Sequence, residues 1–176
     1  MAVACGRPGP ARRCHCHPGL PGTPPRRARA DDRPSDLAFG YVLPSEDGCW
    51  LLVGDVAGKG STAAGVSVAV RHSVRGLTRE IDEPDEILRR VNELLLSGDS
   101  LNDFATVMLA RLQRDGSAWR FKLASAGHPP AVLANAAGAE LLGGGSVLGA
   151  WTEANVEQHE RALGPDHGQV DLLVAR

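Results

Sequence analysis

Cys-Trp-Leu-Leu-Val-Gly-Asp-Val-Ala-Gly-Lys-Gly-Ser, residues 49–61, is the stretch on which the fold and the candidate site of this chain depend. Its apolar run, Trp50 to Val53, is short enough for a buried strand. The glycines that follow allow the backbone to turn tightly and to approach a ligand closely. A helical pattern starts after Ser61. The carboxylate of Asp55 therefore lies between a buried strand and a glycine loop, where a cation or a phosphate could bind.

A nucleotide-binding P-loop is the first interpretation of this stretch, and the spacing excludes it. That motif has four residues between its first glycine and the Gly-Lys pair, with Ser or Thr directly after the lysine. Here three residues separate Gly54 from Gly58, and the residue after the lysine is Gly60. Two interpretations remain open. One is a metal site in which Asp55 and a backbone carbonyl supply hard oxygen ligands. The other is a plain strand-to-helix turn in which Asp55 caps the helix.

Four motifs in order resemble one protein family. Gly-Asp-Val-Ala-Gly-Lys-Gly at 54–60, followed by an alanine-rich helix, resembles the signature of PPM-type protein phosphatases, specifically the bacterial SpoIIE-like branch that includes the RsbU type. Asn92, Phe-Ala-Thr at 104–106 and Ala-Gly-His-Pro-Pro at 126–130 follow with family-like spacing. The resemblance covers roughly residues 36–163. Four motifs in register are a specific signal where one would be weak.

The resemblance implies both a fold and a reaction. The fold is α+β, a PPM-phosphatase-like sandwich of two antiparallel sheets flanked by helices. The reaction is metal-dependent hydrolysis of phosphoserine or phosphothreonine on a regulatory protein in bacterial signal transduction, such as an anti-anti-sigma factor. Two Mn²⁺ or Mg²⁺ ions would activate a water for attack on the phosphoryl group. The alternative is a catalytically impaired module of the same fold that binds a protein partner without turnover.

The resemblance also implies which residues bind the metal ions. Asp55 would be the central bridging ligand and Asp36 a second ligand, so both are candidate catalytic residues. The backbone carbonyl of Val56 would be a third ligand. Residues 34–35 are Pro-Ser where the family has two glycines before the aspartate. The lone His128 is interpreted as structural rather than catalytic.

The end of the chain departs from the family pattern. Residues 164–168 resemble the family's Pro-Gly-Asp turn, but residues 169–176 contain no Asp-Gly pair, which in the family carries a late metal ligand. Asp171 is the only acidic residue there. We therefore expect a fold that is incomplete at its C-terminal end, a second metal site of low affinity and weak turnover.

Composition predicts one domain, residues 36–176, preceded by a disordered tail, residues 1–35. The tail is rich in Pro, Gly and Arg and has no hydrophobic period with which to pack. Up to Arg33 there are seven arginines and two aspartates, which leaves 12 basic and 19 acidic residues and a net charge of −7 for the remainder. An acidic domain with a basic tail does not indicate a nucleic-acid partner.

The sequence predicts a cytoplasmic protein without a membrane partner. No apolar run approaches the ~18 residues of a transmembrane helix, and the N-terminus lacks the apolar core of a secretory signal. The four cysteines do not form a disulfide framework, since three lie in the tail and Cys49 lies in a predicted strand.

Periodicity and turn residues predict the elements. Helix 62–79 is expected to have Ser61 as its N-cap, and Pro84 is expected to be the first residue of the next helix. Leu94 belongs to the predicted core stripe of that helix, and Asn92 within the stripe needs a hydrogen-bonding partner. The predicted strands are 36–43, 49–53, 104–112, 118–124, 131–134, 140–142 and 156–163, with a turn at 44–48.

Overall fold

The structure is a computed structural model that describes residues 2–5, 12–15, 38–98, 104–135, 138–163 and 171–174. In chain order its elements are β1 (Ala2–Cys5), β2 (Arg12–His15), β3 (Phe39–Ser45), β4 (Gly48–Val56), α1 (Gly60–Leu77), α2 (Pro84–Leu96), β5 (Ala105–Asp115), β6 (Ala118–Ala126), β7 (Ala131–Asn135), β8 (Gly138–Leu142), β9 (Glu157–Leu163) and β10 (Asp171–Val174).

The strands form two five-stranded sheets. The first has the order β3-β4-β5-β6-β9 and is antiparallel throughout. The second has the order β2-β1-β10-β7-β8 and is antiparallel except for the parallel pair β1–β10. The predicted α+β sandwich of two sheets with helices is confirmed, with one parallel pair that the sequence analysis did not anticipate.

The first sheet is covered on both faces, which explains the continuous apolar runs of β4 and β5. Leu52 and Leu109 belong to the core beneath α1 and α2. Leu51 and Ala110 belong to the core shared with the second sheet. Because successive side chains of a strand point to opposite faces, the buried apolar residues of these strands alternate between the two cores. The helices, the first sheet and the second sheet thus form three layers.

In both helices the side chain of the N-cap residue makes no capping hydrogen bond. α1 starts at Gly60 with Lys59 as its N-cap, so the prediction of Ser61 as the cap was wrong. The chain enters the helix earlier because Gly58 and Gly60 adopt positive φ angles of 101° and 82°, which make the turn without a capping side chain. α2 starts at Pro84, as predicted.

The buried face of α2 is rotated from the predicted stripe. Leu88 and Val91 are buried at its centre, and Asn92 is only 2% exposed. Leu94 is 52% exposed, so its assignment to the core was wrong. At about 100° per residue, Leu94 falls at the edge of a face that Asn92 shares. The predicted partners of Asn92 exist: its Nδ2 donates to the Trp151 carbonyl at 3.0 Å, and its Oδ1 accepts from the Gly149 amide at 2.8 Å.

The first hairpin is tighter than the sequence analysis predicted. β3 continues through Pro44 to Ser45, which pairs with Gly48, so the turn is shorter than residues 44–48. Pro44 is tolerated because β3 is an edge strand of its sheet.

Two short strands lie in the segment predicted to be a disordered tail. β1 pairs with β10 and β2 pairs with β1. Strand pairing uses backbone groups and needs no apolar period, which is why composition did not indicate it. The structure differs from the expectation at these eight residues, while the domain boundary at residue 35 stays a prediction. Asp36 lies outside the described residues.

No helix in the described part of the chain combines the length and apolar character needed to cross a membrane.

Candidate metal centre

Asp55 is the second-last residue of β4 and is exposed. By the two-residue period of a strand it shares a face with Leu51 and Val53, which pack towards the second sheet. Val56, which ends the strand, is buried at 4% exposure. Among the residues that the structure describes, no side chain forms a hydrogen bond or ion pair with the Asp55 carboxylate. The site therefore offers an open carboxylate at the rim between the two sheets.

Close packing at Gly54 brings β3 to the same end of the sheet. A Cβ at Gly54 would lie 2.5 Å from the Phe39 ring and 2.8 Å from the Thr106 carbonyl oxygen, so only glycine fits. Phe39 pairs with Gly54 in the antiparallel register and is buried at 4% exposure. The start of β3 is thereby placed beside Asp55. Whether Asp36 reaches the site stays a prediction.

The glycine loop after Val56 leaves the sheet in a defined way. The Ala57 amide donates to the Phe104 carbonyl at 3.0 Å, which extends the β4–β5 pairing by one step. Gly58 and Gly60 then take positive φ angles, and α1 begins. The loop thus connects a buried strand directly to the first turn of a helix, as the sequence predicted.

The side chains of Thr106 and His128 contact each other next to the backbone of Asp55. The Thr106 Oγ1 lies 3.0 Å from His128 Nδ1 and 3.5 Å from the Asp55 carbonyl oxygen. His128 is only 3% exposed. Sequence reasoning assigned no role to Thr106, although both residues fall in motifs quoted for the resemblance. One signal could have linked them: Thr106 is the polar residue of the Phe-Ala-Thr motif, and His128 is the polar residue of the Ala-Gly-His-Pro-Pro motif.

The turn that carries His128 is held by a second loop. Gly127 has a φ of 68°, and its amide donates to the Gly144 carbonyl at 3.0 Å. A Cβ at Gly127 would lie 2.9 Å from the Val147 nitrogen. Only glycine therefore fits at this position, and the direction in which the chain enters His128 is set by the surrounding backbone.

The described residues at the loop offer one carboxylate and one backbone carbonyl to a divalent ion. The Asp55 carboxylate and the Val56 carbonyl are hard oxygen donors, and a cation such as Mg²⁺ commonly binds through one or two carboxylates and keeps several waters. No group of three His, Cys, Asp or Glu side chains that could hold a metal occurs among the described residues. A two-metal centre needs further carboxylates, which this part of the chain does not supply.

Asp171 gains no support as a further ligand. It begins β10 in the second sheet and pairs with Ala134, the fourth residue of β7. β7 starts at Ala131, just after the turn that carries His128. The antiparallel register therefore places the end of β10, and not Asp171, towards that turn.

The two-sheet sandwich, with a strand, glycine loop and helix at its rim, defines a PPM-type phosphatase fold. A sequence profile described as Stage II sporulation protein E (SpoIIE) matches residues 45–168. The chain therefore belongs to the SpoIIE family. No curated protein sequence matches it significantly.

Solved structures share the fold. The RsbU and RsbW domains of Rv1364c from Mycobacterium tuberculosis are 28% identical, with a TM-score of 0.57 over 74% of this chain and 37% of that chain. The SiaA-PP2C domain of Pseudomonas aeruginosa is 17% identical, with a TM-score of 0.58 over 74% and 52%. The serine/threonine phosphatase Stp1 from Staphylococcus aureus is 11% identical, with a TM-score of 0.59 over 78% and 69%. The chain spans about a third to a half of the first two structures.

Proposed function

We propose that this protein hydrolyses phosphoserine or phosphothreonine on a regulatory protein and that it needs Mn²⁺ or Mg²⁺ to do so. The observation that carries the proposal is the open carboxylate of Asp55, at the end of a buried strand and before a glycine loop, in a chain of the SpoIIE family. An exposed carboxylate to which no described side chain bonds is able to take a cation.

The proposed roles of the residues follow from their placement. Asp55 binds the cation through its carboxylate, and the Val56 carbonyl is a second oxygen donor one residue away. Asp36 is proposed as a further carboxylate on the basis of the resemblance. A bound divalent ion lowers the pKa of a coordinated water and neutralises phosphoryl oxygens. The proposal needs no nucleophilic side chain, because water is the attacking group.

The substrate class is proposed from the relatives. A protein phosphorylated on Ser or Thr, such as an anti-anti-sigma factor, agrees with the pairing of RsbU and RsbW domains in the structure from M. tuberculosis. Neither a nucleic acid nor a membrane is proposed as a partner. The cytoplasm is the proposed compartment, and a buried Cys49 thiol that is not in a disulfide is compatible with it.

The alternative is a module of this fold that binds a phosphoprotein without turnover. One observation favours it: in the described residues the loop offers a single carboxylate, whereas two ions need more. This alternative keeps one metal and the partner surface but predicts no hydrolysis.

The proposal is tested by measuring hydrolysis of p-nitrophenyl phosphate and of a phosphoserine peptide by the full chain. Each substrate is assayed without metal and with about 1 to 10 equivalents of Mn²⁺. We expect metal-dependent turnover in the wild type, none in Asp55→Asn, and full turnover in Asp115→Asn. Asp115 is a matched control because it lies at an exposed turn and pairs with Arg120. A wild type that binds Mn²⁺ and melts cooperatively but hydrolyses neither substrate would favour the alternative.

A further inference from the structure

Thr106 and His128 form a polar pair next to the candidate metal centre, and the proposed ligand set uses neither. We propose that they are positioning residues that hold the Asp55 carbonyl and, through it, the start of the glycine loop. The consequence for metal binding rests on the proposed function; the effect on the loop does not.

The direction of the hydrogen bonds follows from the chemistry of the groups. A carbonyl oxygen only accepts, so the Thr106 hydroxyl donates its single proton to the Asp55 carbonyl, 3.5 Å away. The hydroxyl oxygen then accepts from the Nδ1–H of His128 at 3.0 Å. The proposal therefore assigns to His128 the Nδ1–H tautomer, which is the one that lets both contacts form at once. The contact with His128 orients the Thr106 hydroxyl, and the oriented hydroxyl then holds the Asp55 carbonyl.

The backbone acts on the same residue. Asp55 pairs with Thr106 in the β4–β5 register, and the next pair is Val56 with Ala105. The side chain of Thr106 thus adds a second contact to β4 one residue before the last pair of the β4–β5 register. Beyond β4, in the described part of the chain, the Ala57 amide donates to the Phe104 carbonyl at 3.0 Å. A substitution at Thr106 should therefore increase the mobility of the residues after Val56 before it affects the rest of the sheet.

Burying the His128 imidazole costs free energy unless its ring nitrogens form hydrogen bonds. His128 is 3% exposed, and Ala126, which ends β6 two residues before it, is fully buried. An apolar side chain would pack there without the requirement for a hydrogen-bonding partner. Gly127 fixes the entry to His128, since a Cβ at that residue would lie 2.9 Å from the Val147 nitrogen. The position of the imidazole is thus specified from its own turn as well as from Thr106.

Two measurements on the full chain test the inference. The first is amide hydrogen exchange of residues 57–60 in the metal-free protein, compared with residues 121–124 in β6. The second is the affinity for Mn²⁺ by calorimetry. The variants are Thr106→Val, which removes the hydroxyl at nearly constant volume, and Thr106→Ser, which keeps it. His128→Asn keeps an N–H donor near the position of Nδ1, and His128→Leu removes it. Thr78→Val is the matched control, because the Thr78 hydroxyl donates only to the end of α1.

We expect Thr106→Val and His128→Leu to accelerate exchange at residues 57–60 and to weaken Mn²⁺ binding about tenfold, as is typical for residues that orient a metal ligand. Thr106→Ser and His128→Asn should restore most of both properties, and Thr78→Val should change neither. Exchange in β6 should stay as in the wild type, because a role in stability alone would raise exchange there too.

Unchanged exchange at residues 57–60 in Thr106→Val would overturn the inference, as would a Thr106→Ser variant that behaves like the valine variant. The two proposals fail separately. If the wild type binds no Mn²⁺, the proposed function is wrong, while the exchange measurement still decides whether Thr106 and His128 hold the loop.

Discussion

Two aspartates lie at the two ends of β4, and their surroundings are opposite. Asp47, in the turn before the strand, has a carboxylate held by the Ser45 hydroxyl at 3.1 Å, the Gln113 amide at 2.7 Å and the Arg111 guanidinium. Asp55, near the other end, has no described partner for its carboxylate. The same residue type thus completes a polar network at one end of the strand and stays open at the other.

The difference shows which of the two carboxylates stabilises the fold. Arg111 is buried, with its side chain 5% exposed and its guanidinium 4.9 Å from the Trp50 ring centre. A buried cation needs a carboxylate nearby, and Asp47 is that carboxylate. Burial is the largest single influence on the pKa of Asp47 and raises it, but the hydrogen bonds from Gln113, Arg111 and Ser45 and the charge of Arg111 together outweigh it, so the pKa is lowered. Asp47 therefore contributes to stability, whereas no described side chain bonds to the Asp55 carboxylate.

The largest expected effect is the loss of metal binding in Asp55→Ala. Asp55 is the only carboxylate at the loop among the described residues, so its removal should lower Mn²⁺ affinity by about a hundredfold or more, as expected for a direct ligand rather than an orienting residue. Its side chain is exposed, so the melting temperature should stay the same. Calorimetry and a thermal melt measure the two properties. Equal Mn²⁺ affinities in mutant and wild type would show that this loop is a plain turn.

Asp47→Ala should have the reverse signature, with lost stability and unchanged Mn²⁺ affinity. Breaking a buried ion pair costs about 3–5 kcal/mol. The Asp47 side chain is 41% exposed, and Asp82 lies 4.0 Å from Arg111, so we expect about 2 kcal/mol. Urea denaturation checks the free energy of unfolding. A variant as stable as the wild type would mean that Arg111 needs no carboxylate, and the contrast between the two ends would lose its basis.

The pH dependence of stability should separate Asp47 from its neutral variant Asp47→Asn. The folded-state pKa of Asp47 lies below its ordinary value of 3.8, so its contribution is fully present above that value and is lost as pH falls through the folded-state pKa. The wild type should therefore be more stable than Asp47→Asn near neutral pH, and the gap should close below 3.8. Denaturation curves from neutral to acidic pH measure this gap; a constant gap would contradict the assignment.

Deletion of residues 1–33 has the smallest expected effect and sharpens the comparison, because it leaves both aspartates in place. The segment has no apolar period, and its strands add pairing at one side of the second sheet. We expect the melting temperature to fall by less than about 4 °C, which corresponds to ~1 kcal/mol for a chain of this length, and Mn²⁺ affinity to stay the same. A larger fall would show that β1 stabilises β10.

The elements around the site were predictable because their signals are local. A short apolar run, an aspartate and three glycines predicted the strand, the loop and the helix between residues 50 and 79. Asp-Gly at 115–116 predicted the β5–β6 hairpin, where Gly116 has a φ of 60°. Pro84 predicted the start of α2. Each of these signals acts on residues only a few positions away, so a single sequence is sufficient to interpret them.

The sequence by itself thus determined the order of elements and placed Asp55 at the end of a buried strand. Only the tertiary structure decided which polar groups meet. Thr106 and His128 are 22 residues apart and Arg111 and Asp47 are 64 apart, and both contacts exist because of strand register and sheet packing. Register depends on which faces are buried against distant elements, and no local pattern carries that information. For the same reason Asp47, just before β4, and Asp55, near its end, look alike in the sequence and differ in the fold.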